Sequence, residues 1–297
     1  MQIDRAAVIT GVSTGIGLGI AKALCTRGVH VFGSVRRQGD ADRLGREFGA
    51  AFTPLIFDIT DEPAVRRGAA QVANALGDRT LFGLVNNAGV AVPGPLLHLP
   101  IAEFRQQIEI NVVAQLSVTQ AFAPLLGADR ARQGPPGRIV NISSVNGKIA
   151  SPFIGAYAAS KHALEAISDS LRRELMLYGI DVIVIGPGPI ATPIWDKAAA
   201  LDMSAYAKTD YGPILEKVRD YMLGQGRHGL PPERVGELAR HALTAARPKT
   251  RYTITPGKFQ NWTVPRLLPP RLLDRIIAKA VGLRRPPERA RARGTAP

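Results

Sequence analysis

Tyr157 and Lys161 stand four residues apart in a stretch whose apolar spacing predicts a helix over 156–178. Positions i and i+4 share one helix face, so a phenol and an ammonium are brought to the same side. A free tyrosine titrates at about 10, and a neighbouring cation favours its phenolate. The pair therefore predicts a Tyr157 whose ionisation is drawn down toward working pH, able to exchange a proton with a substrate oxygen. Such pairs also arise by chance, so the reading needs companions. Ser143 ends a predicted strand over 138–143 and Ser144 lies just past it. A hydroxyl there can polarise a carbonyl and stabilise negative charge growing on oxygen; the plain alternative is a turn hydrogen bond. Asn111 falls inside a helical pattern over 101–126, where asparagine is locally unfavourable. A buried amide satisfying a neighbouring helix is its plain reading.

A second group of residues could hold phosphate. The run Thr10-Gly11-Val12-Ser13-Thr14-Gly15-Ile16-Gly17 links a predicted strand over 6–10 to a helical pattern that begins within the turn. Gly11 permits a tight turn, Gly15 lets backbone N–H groups approach a pyrophosphate, and Gly17 lets helix and strand pack closely. The helix N-terminus adds partial positive charge. Gly11 to Gly15 also fits a Gly-x-Ser-x-Gly elbow with Ser13 as nucleophile, but that leaves Ser144, Tyr157 and Lys161 without a role. Asp58-Ile59 ends a strand over 52–58, and Asn86-Asn87-Ala88-Gly89 closes one over 81–86. Asp58 can accept from an adenine amino group or cap the helix over 62–76, a cap for which Asp61 competes.

The elements that must position these residues alternate. Short apolar strands at 6–10, 29–34, 52–58, 81–86, 138–143 and 181–186 are separated by helical patterns, among them 62–76, 101–126, 156–178 and 232–246. Buried strands alternating with amphipathic helices predict βαβ units, hence a single doubly wound parallel sheet of α/β class. In that architecture the strand ends named above share the sheet's carboxyl edge, where ligands bind. Residues 189–229 break the alternation and hold Trp195, Met203, Tyr206, Tyr211, Tyr221 and Met222, the pattern of a lid insertion. After Pro265 an amphipathic helix is predicted from Pro269-Pro270 onward, with apolar pairs every four residues up to 283. The expected organisation is a catalytic domain over 1–264 including the lid, a C-terminal helix over 265–283, and a basic disordered tail over 284–297.

In order and spacing, the glycine turn at 10–17, Asp58, Asn86–Gly89, Asn111, Ser144, Tyr157–Lys161 and 187–192 resemble the short-chain dehydrogenase/reductase family, over about residues 5–255. The run 247–252 and the apolar tail are similar, more weakly, to its retinol and hydroxysteroid dehydrogenase branch. The resemblance implies a Rossmann-like fold and a reversible NAD(P)-dependent oxidoreductase acting on an alcohol and its ketone or aldehyde. It selects Ser144 over Ser143, makes Tyr157 the proton donor and acceptor, and has Asn111 interrupt its helix and bind a water linking Lys161 to solvent. It places Gly11, Ser13, Thr14, Gly15, Ile16, Gly17, Asp58, Ile59, Asn87, Ala88, Gly89, Tyr157 and Lys161 against the dinucleotide. Pro187 and Gly188 join them in an extended run, and the Ile190 backbone and Thr192 hydroxyl meet the nicotinamide carboxamide. After the second strand the chain reads Ser34-Val35-Arg36-Arg37, with no acid to meet a free ribose hydroxyl. Arginine pairs with a 2′-phosphate, so NADP(H) is favoured over NAD(H); otherwise Arg36 and Arg37 open a solvated helix face. The expected substrate is apolar and fairly bulky, steroid-, retinoid- or lipid-like. A catalytically silent dinucleotide sensor on the same fold is the rival reading.

Composition closes off other classes. Of 297 residues, 45% are hydrophobic and 21% charged, which suits a globular chain. One cysteine, Cys25, excludes an internal disulfide and cannot anchor zinc; the five histidines lack paired metal spacing, so no metal site is expected. The net charge is +14, and half of it falls in residues 265–297. The body carries no basic stripe with interleaved aromatics, so nucleic acid is not an expected partner. No apolar run reaches the roughly 20 residues of a membrane span, and the opening Met-Gln-Ile-Asp-Arg runs straight into a strand, without a signal peptide. A cytoplasmic homodimer or homotetramer is expected, with peripheral membrane contact through the basic C-terminus left open.

Overall fold

Side chains alternate along β1 (Ala6–Ile9): Ala6 and Val8 enter one hydrophobic core, Ala7 and Ile9 another. A strand buried on both faces needs helices on both sides of its sheet. The computed structural model, which describes residues 4–199 and 203–283, has that arrangement. β2 (His30–Val35), β3 (Phe52–Ile56), β4 (Gly83–Asn86), β5 (Arg138–Ile142), β6 (Asp181–Pro187) and β7 (Arg251–Ile254) join β1 in one parallel sheet of order β3-β2-β1-β4-β5-β6-β7. The order reverses at β1, so the crevice between β1 and β4 is the topological switch point where ligands bind.

On one face, Ile20 and Leu24 of α1 (Gly15–Cys25) and Val235 and Leu243 of α9 (Pro232–Thr244) share a core with Leu44 of α2 (Gln38–Phe48). On the other, Val65 and Val72 of α3 (Glu62–Leu76) meet Val118 and Phe122 of α5 (Ala114–Phe122). The predicted doubly wound sheet is therefore present, with two additions. In α2 only Ala41 and Leu44 are buried, too few to signal a helix by period. β7 is an edge strand whose residues are all half-buried. The predicted helix over 101–126 is broken into α4 (Ile101–Ile108), a π turn (Glu109–Val113), α5 and a 3₁₀ turn (Ala123–Leu126). Likewise, 156–178 is α6 (Gly155–Glu174) followed by a 3₁₀ turn.

The segment 189–229 carries α7 (Ile194–Ala199) and α8 (Gly212–Arg227). Its Tyr206, Leu215 and Val218 form a separate apolar cluster with Phe153, against which Val281 and Leu283 pack. After α10 (Val264–Leu267), α11 (Pro270–Val281) starts at the predicted proline pair. Part of its stripe thus covers the 189–229 segment, while Leu272 and Ile276 stay exposed beside Arg271, Arg275 and Lys279. The predicted tail over 284–297 lies outside the described residues. Among the described residues, no helix is long and apolar enough to cross a membrane.

Candidate active site

Gly11 has φ +69°, a left-handed conformation that glycine adopts without strain. There its N–H donates to Ser34 Oγ (3.0 Å) and its carbonyl accepts from Asn87 Nδ2 (3.0 Å). Thr10 Oγ1 accepts from both Asn87 N and Ala88 N (3.0 Å each). The ends of β1, β2 and β4 are therefore tied into one rigid rim. Gly17 sits behind it, where a Cβ would lie 2.2 Å from Gly11 O. Thr14 precedes α1 in extended conformation without capping it, so the first helical amides remain free for an anion.

This rim opens into a groove of about 280 Å³. Gly11, Ser13, Thr14, Gly15, Ile16, Arg36, Asp58, Ile59, Asn87, Ala88, Gly89 and Thr192 line it, with Val90, Ile110, Pro193 and Ile194 added. A wall of bare backbone, free helical amides and one arginine fits a dinucleotide phosphate. Several expected contacts are not on the wall. Arg37 takes the position before α2 with extended backbone and is not among the residues lining the groove. Pro187, Gly188, Tyr157 and Lys161 are not among the residues lining the groove, and the Ile190 carbonyl is taken by Trp195 Nε1 (2.7 Å). Asp61, not Asp58, caps α3, accepting from Ala64 N (3.0 Å). Asp58 instead accepts from Thr60 N and Oγ1 (3.0 and 2.8 Å) and lies 3.7 Å from Arg36 Nη1. Partial burial opposes its charge, but the Thr60 bonds and the Arg36 guanidinium prevail and hold the carboxyl below its ordinary value.

α6 puts Tyr157 and Lys161 on one face, with Lys161 Nζ 5.8 Å from the Tyr157 ring centroid. The ammonium is buried and donates to Ile142 O (2.8 Å) at the end of β5. Past β5, the Ser144 hydroxyl lies beside the Tyr157 phenol, donates to Pro187 O (3.4 Å) and accepts from Asn146 N (3.1 Å). Ser143 Oγ turns beneath Gly147 and has no partner among the described residues. Of the two serines, geometry brings Ser144 to the phenol. Asn111 occupies the π turn, a helix interruption of the kind the resemblance implied. Its side chain is spent on neighbours: Nδ2 donates to Val90 O (2.9 Å) and Ser160 Oγ (3.1 Å), and Oδ1 accepts from Val90 N (2.9 Å). Asn111 Oδ1 and Lys161 Nζ both border Gly89, at 3.0 and 3.8 Å from the site of a Cβ there.

One expectation is corrected. Burial pushes the Tyr157 phenol above its usual value and outweighs the opposing effect of the Ser144 hydroxyl. Lys161 Nζ stands 5.8 Å from the ring centroid and is bonded to Ile142 O. Burial in turn lowers Lys161 to about 8, against the favourable charge of Glu165.

The family model for short chain dehydrogenase matches residues 5–201. The chain belongs to the short-chain dehydrogenase/reductase family. The chain is 44% identical over 275 residues to the "NADPH-dependent 3-dehydrocapnine reductase" of Ornithobacterium rhinotracheale, covering 93% of this chain and 96% of that one. It is 31% identical to "Retinol dehydrogenase 16" of Mus musculus over 84% of this chain and 80% of that one. A short-chain dehydrogenase/reductase from Burkholderia phymatum solved in complex with NAD has the same fold, with TM-score 0.75, 22% identity, and 89% and 94% coverage. This short-chain dehydrogenase/reductase is therefore an NAD(P)-dependent oxidoreductase. Its site also uses residues that carried no sequence signal. Gln107 donates to Val90 O and accepts from Val92 N, and Gln115 donates to Ala88 O, so both hold the β4 exit loop. Glutamine inside a helix looks like solvated surface until its burial is seen.

Proposed function

We infer that the enzyme reduces an apolar ketone with NADPH, Tyr157 delivering the proton. The carrying observation is the single face of α6 that sets Lys161 Nζ 5.8 Å from the Tyr157 ring centroid, with the Ser144 hydroxyl beside the phenol. When bound, the nicotinamide cofactor supplies the hydride. Thr14, Gly15 and Ile16 would hold its phosphates and Asp58 its adenine. Ser144 polarises the substrate carbonyl, and the burial that keeps a proton on Tyr157 at neutral pH suits it to protonate the nascent alkoxide. Lys161 places positive charge beneath that proton, and Asn111 borders the route from Lys161 toward solvent.

Arg36 supports NADP(H): it lines the groove, its side chain is 70% exposed, and no acid stands at the end of β2. The relative at 44% identity is itself named NADPH-dependent. An apolar substrate, steroid-, retinoid- or lipid-like, is favoured by the cluster of Phe153, Tyr206 and Tyr211, with Phe153 four residues before Tyr157. In this reading 1–264 is the catalytic domain, 189–229 its lid, and 265–283 a helix that braces the lid. Exposed Ile101 and Val113 favour a homodimer or homotetramer packed through α4, α5 and α6. A cytoplasmic location follows from the same reading, with Leu272 and Ile276 among Arg271, Arg275 and Lys279 as the face for any peripheral contact with anionic lipid.

The test is a panel of ketones and aldehydes followed by loss of reduced-nicotinamide absorbance with each cofactor. Turnover of apolar ketones with NADPH in excess of NADH is expected. Activity confined to small polar carbonyls would overturn the substrate reading.

A further inference from the structure

Glu165 lies one helical turn beyond Lys161 on α6 and is 4% exposed, a buried carboxylate that the chemistry above does not use. A buried charge persists only when paired. Arg251, at the start of β7, meets it as a fork: Nε lies 3.1 and 3.0 Å from the two carboxylate oxygens, and Nη2 3.0 Å from Oε1. Lys148 Nζ lies 3.4 Å from Oε2. The same Arg251 Nη2 also donates to the Ser144 carbonyl (3.3 Å), and Nη1 donates to Thr253 Oγ1. Its guanidinium lies over the buried Trp262 ring, 4.3 Å from the centroid, and Arg266 lies over that ring at 4.6 Å. β6 makes room for the fork, since a Cβ at Gly186 would lie 2.4 Å from Arg251 Nη2.

These contacts join parts that the chain keeps far apart. Glu165 belongs to the helix that carries Tyr157 and Lys161. Lys148 and the Ser144 carbonyl flank the short turn Val145–Gly147 that fixes the Ser144 hydroxyl. Arg251 and Trp262, the latter in the π turn Phe259–Thr263, both lie beyond the 5–201 stretch that the family model matches. We propose that Glu165 and Arg251 are positioning residues, an ion pair that fixes the Ser144 turn against the Tyr157–Lys161 face of α6, with Trp262 shielding it from solvent. The inference rests on Ser144, Tyr157 and Lys161 being the reacting side chains.

Glu165 is faced by Lys161 on its own helix, by Lys148 from the loop and by Arg251 from β7. Its charge favours the Lys161 ammonium, in opposition to burial. A fork bound by both oxygens and lying over a ring has no equivalent in lysine, so Arg251→Lys separates positioning from mere charge.

The experiment uses the full chain labelled with 13C at lysine Cε, with the Lys161 signal assigned by its loss in Lys161→Arg. Its midpoint, about 8 in the parent, is expected to fall by roughly one pH unit in Glu165→Gln. Turnover runs in parallel: Arg251→Lys is expected to lose about tenfold in kcat with cofactor KM within about twofold, Trp262→Leu to lose likewise, and Trp262→Phe to recover. An unmoved Lys161 midpoint in Glu165→Gln, or parental kcat in Arg251→Lys, would overturn the proposal. The NMR titration needs no turnover, so it separates this failure from that of the proposed activity, which Tyr157→Phe reads. If Glu165→Gln does not fold, the contrast between Trp262→Phe and Trp262→Leu decides.

Discussion

Gly17→Ala places a methyl where the rim of the groove has no space. Its Cβ would lie 2.2 Å from Gly11 O and 2.5 Å from Asn87 Nδ2, the two atoms that bond each other at 3.0 Å. Ordinary contact needs more than 1 Å of retreat by backbone that is also tied to Ser34, so neither atom can yield alone. Overpacking of this kind costs about 1–3 kcal/mol, and breaking the Asn87 bond adds about 1 kcal/mol. These are costs in folding stability; where the displaced turn carries about 2 kcal/mol of them into the nucleotide contacts alone, binding weakens roughly 30-fold at about 1.4 kcal/mol per tenfold. Gly45→Ala is the matched control. Gly45 sits in α2 with nothing within 4 Å of its would-be Cβ, so alanine there stabilises the helix by about 0.5–1 kcal/mol. Quenching of reduced-nicotinamide fluorescence gives affinity, and thermal unfolding gives stability. Gly17→Ala binding nucleotide within threefold of the parent would refute the tight-rim argument.

Three further outcomes follow from the site. Burial of Lys161 lowers it from 10.5 to about 8, so the folded chain releases this proton before the unfolded one does. The penalty of burying the charge is fully present below pH 8 and fades between 8 and 10.5, while the ketone-reduction rate falls through about pH 8 as the ammonium is lost; a kcat–pH profile at saturating cofactor checks the second point. Arg36→Ala should weaken NADPH about tenfold and leave NADH within about twofold, and equal losses would remove the 2′-phosphate assignment. Asp61→Ala should cost about 1 kcal/mol through loss of the α3 cap without changing nucleotide affinity, measured by denaturant unfolding beside a binding titration.

The parallel sheet was legible because buried strands announce themselves as short apolar runs with helices between. α2 and β7 were not, since α2 buries two residues and β7 is a half-buried edge. At the site, Gly11, Tyr157 and Lys161 could be read from type and spacing, while the choice of Ser144 over Ser143 came through the family resemblance. The direction of the Tyr157 shift could not, because it depends on how deeply α6 sinks the phenol, a tertiary property. The same holds for Glu165 and Arg251, which look like surface charges 86 positions apart until the fold buries them together. Arg36 and Arg37 were indistinguishable in sequence, and only the start of α2 separates the groove residue from the helix-start residue.

Catalysis turns on one proton leaving the Tyr157 hydroxyl for the substrate oxygen. Pre-steady-state reduction of an apolar ketone by the Tyr157→Phe enzyme, with bound NADPH followed by absorbance, isolates that step. Parental nucleotide affinity and a hydride-transfer rate lowered by about 10²–10⁴ are expected. A Tyr157→Phe enzyme that reduces the ketone at the parental rate would contradict that proton transfer.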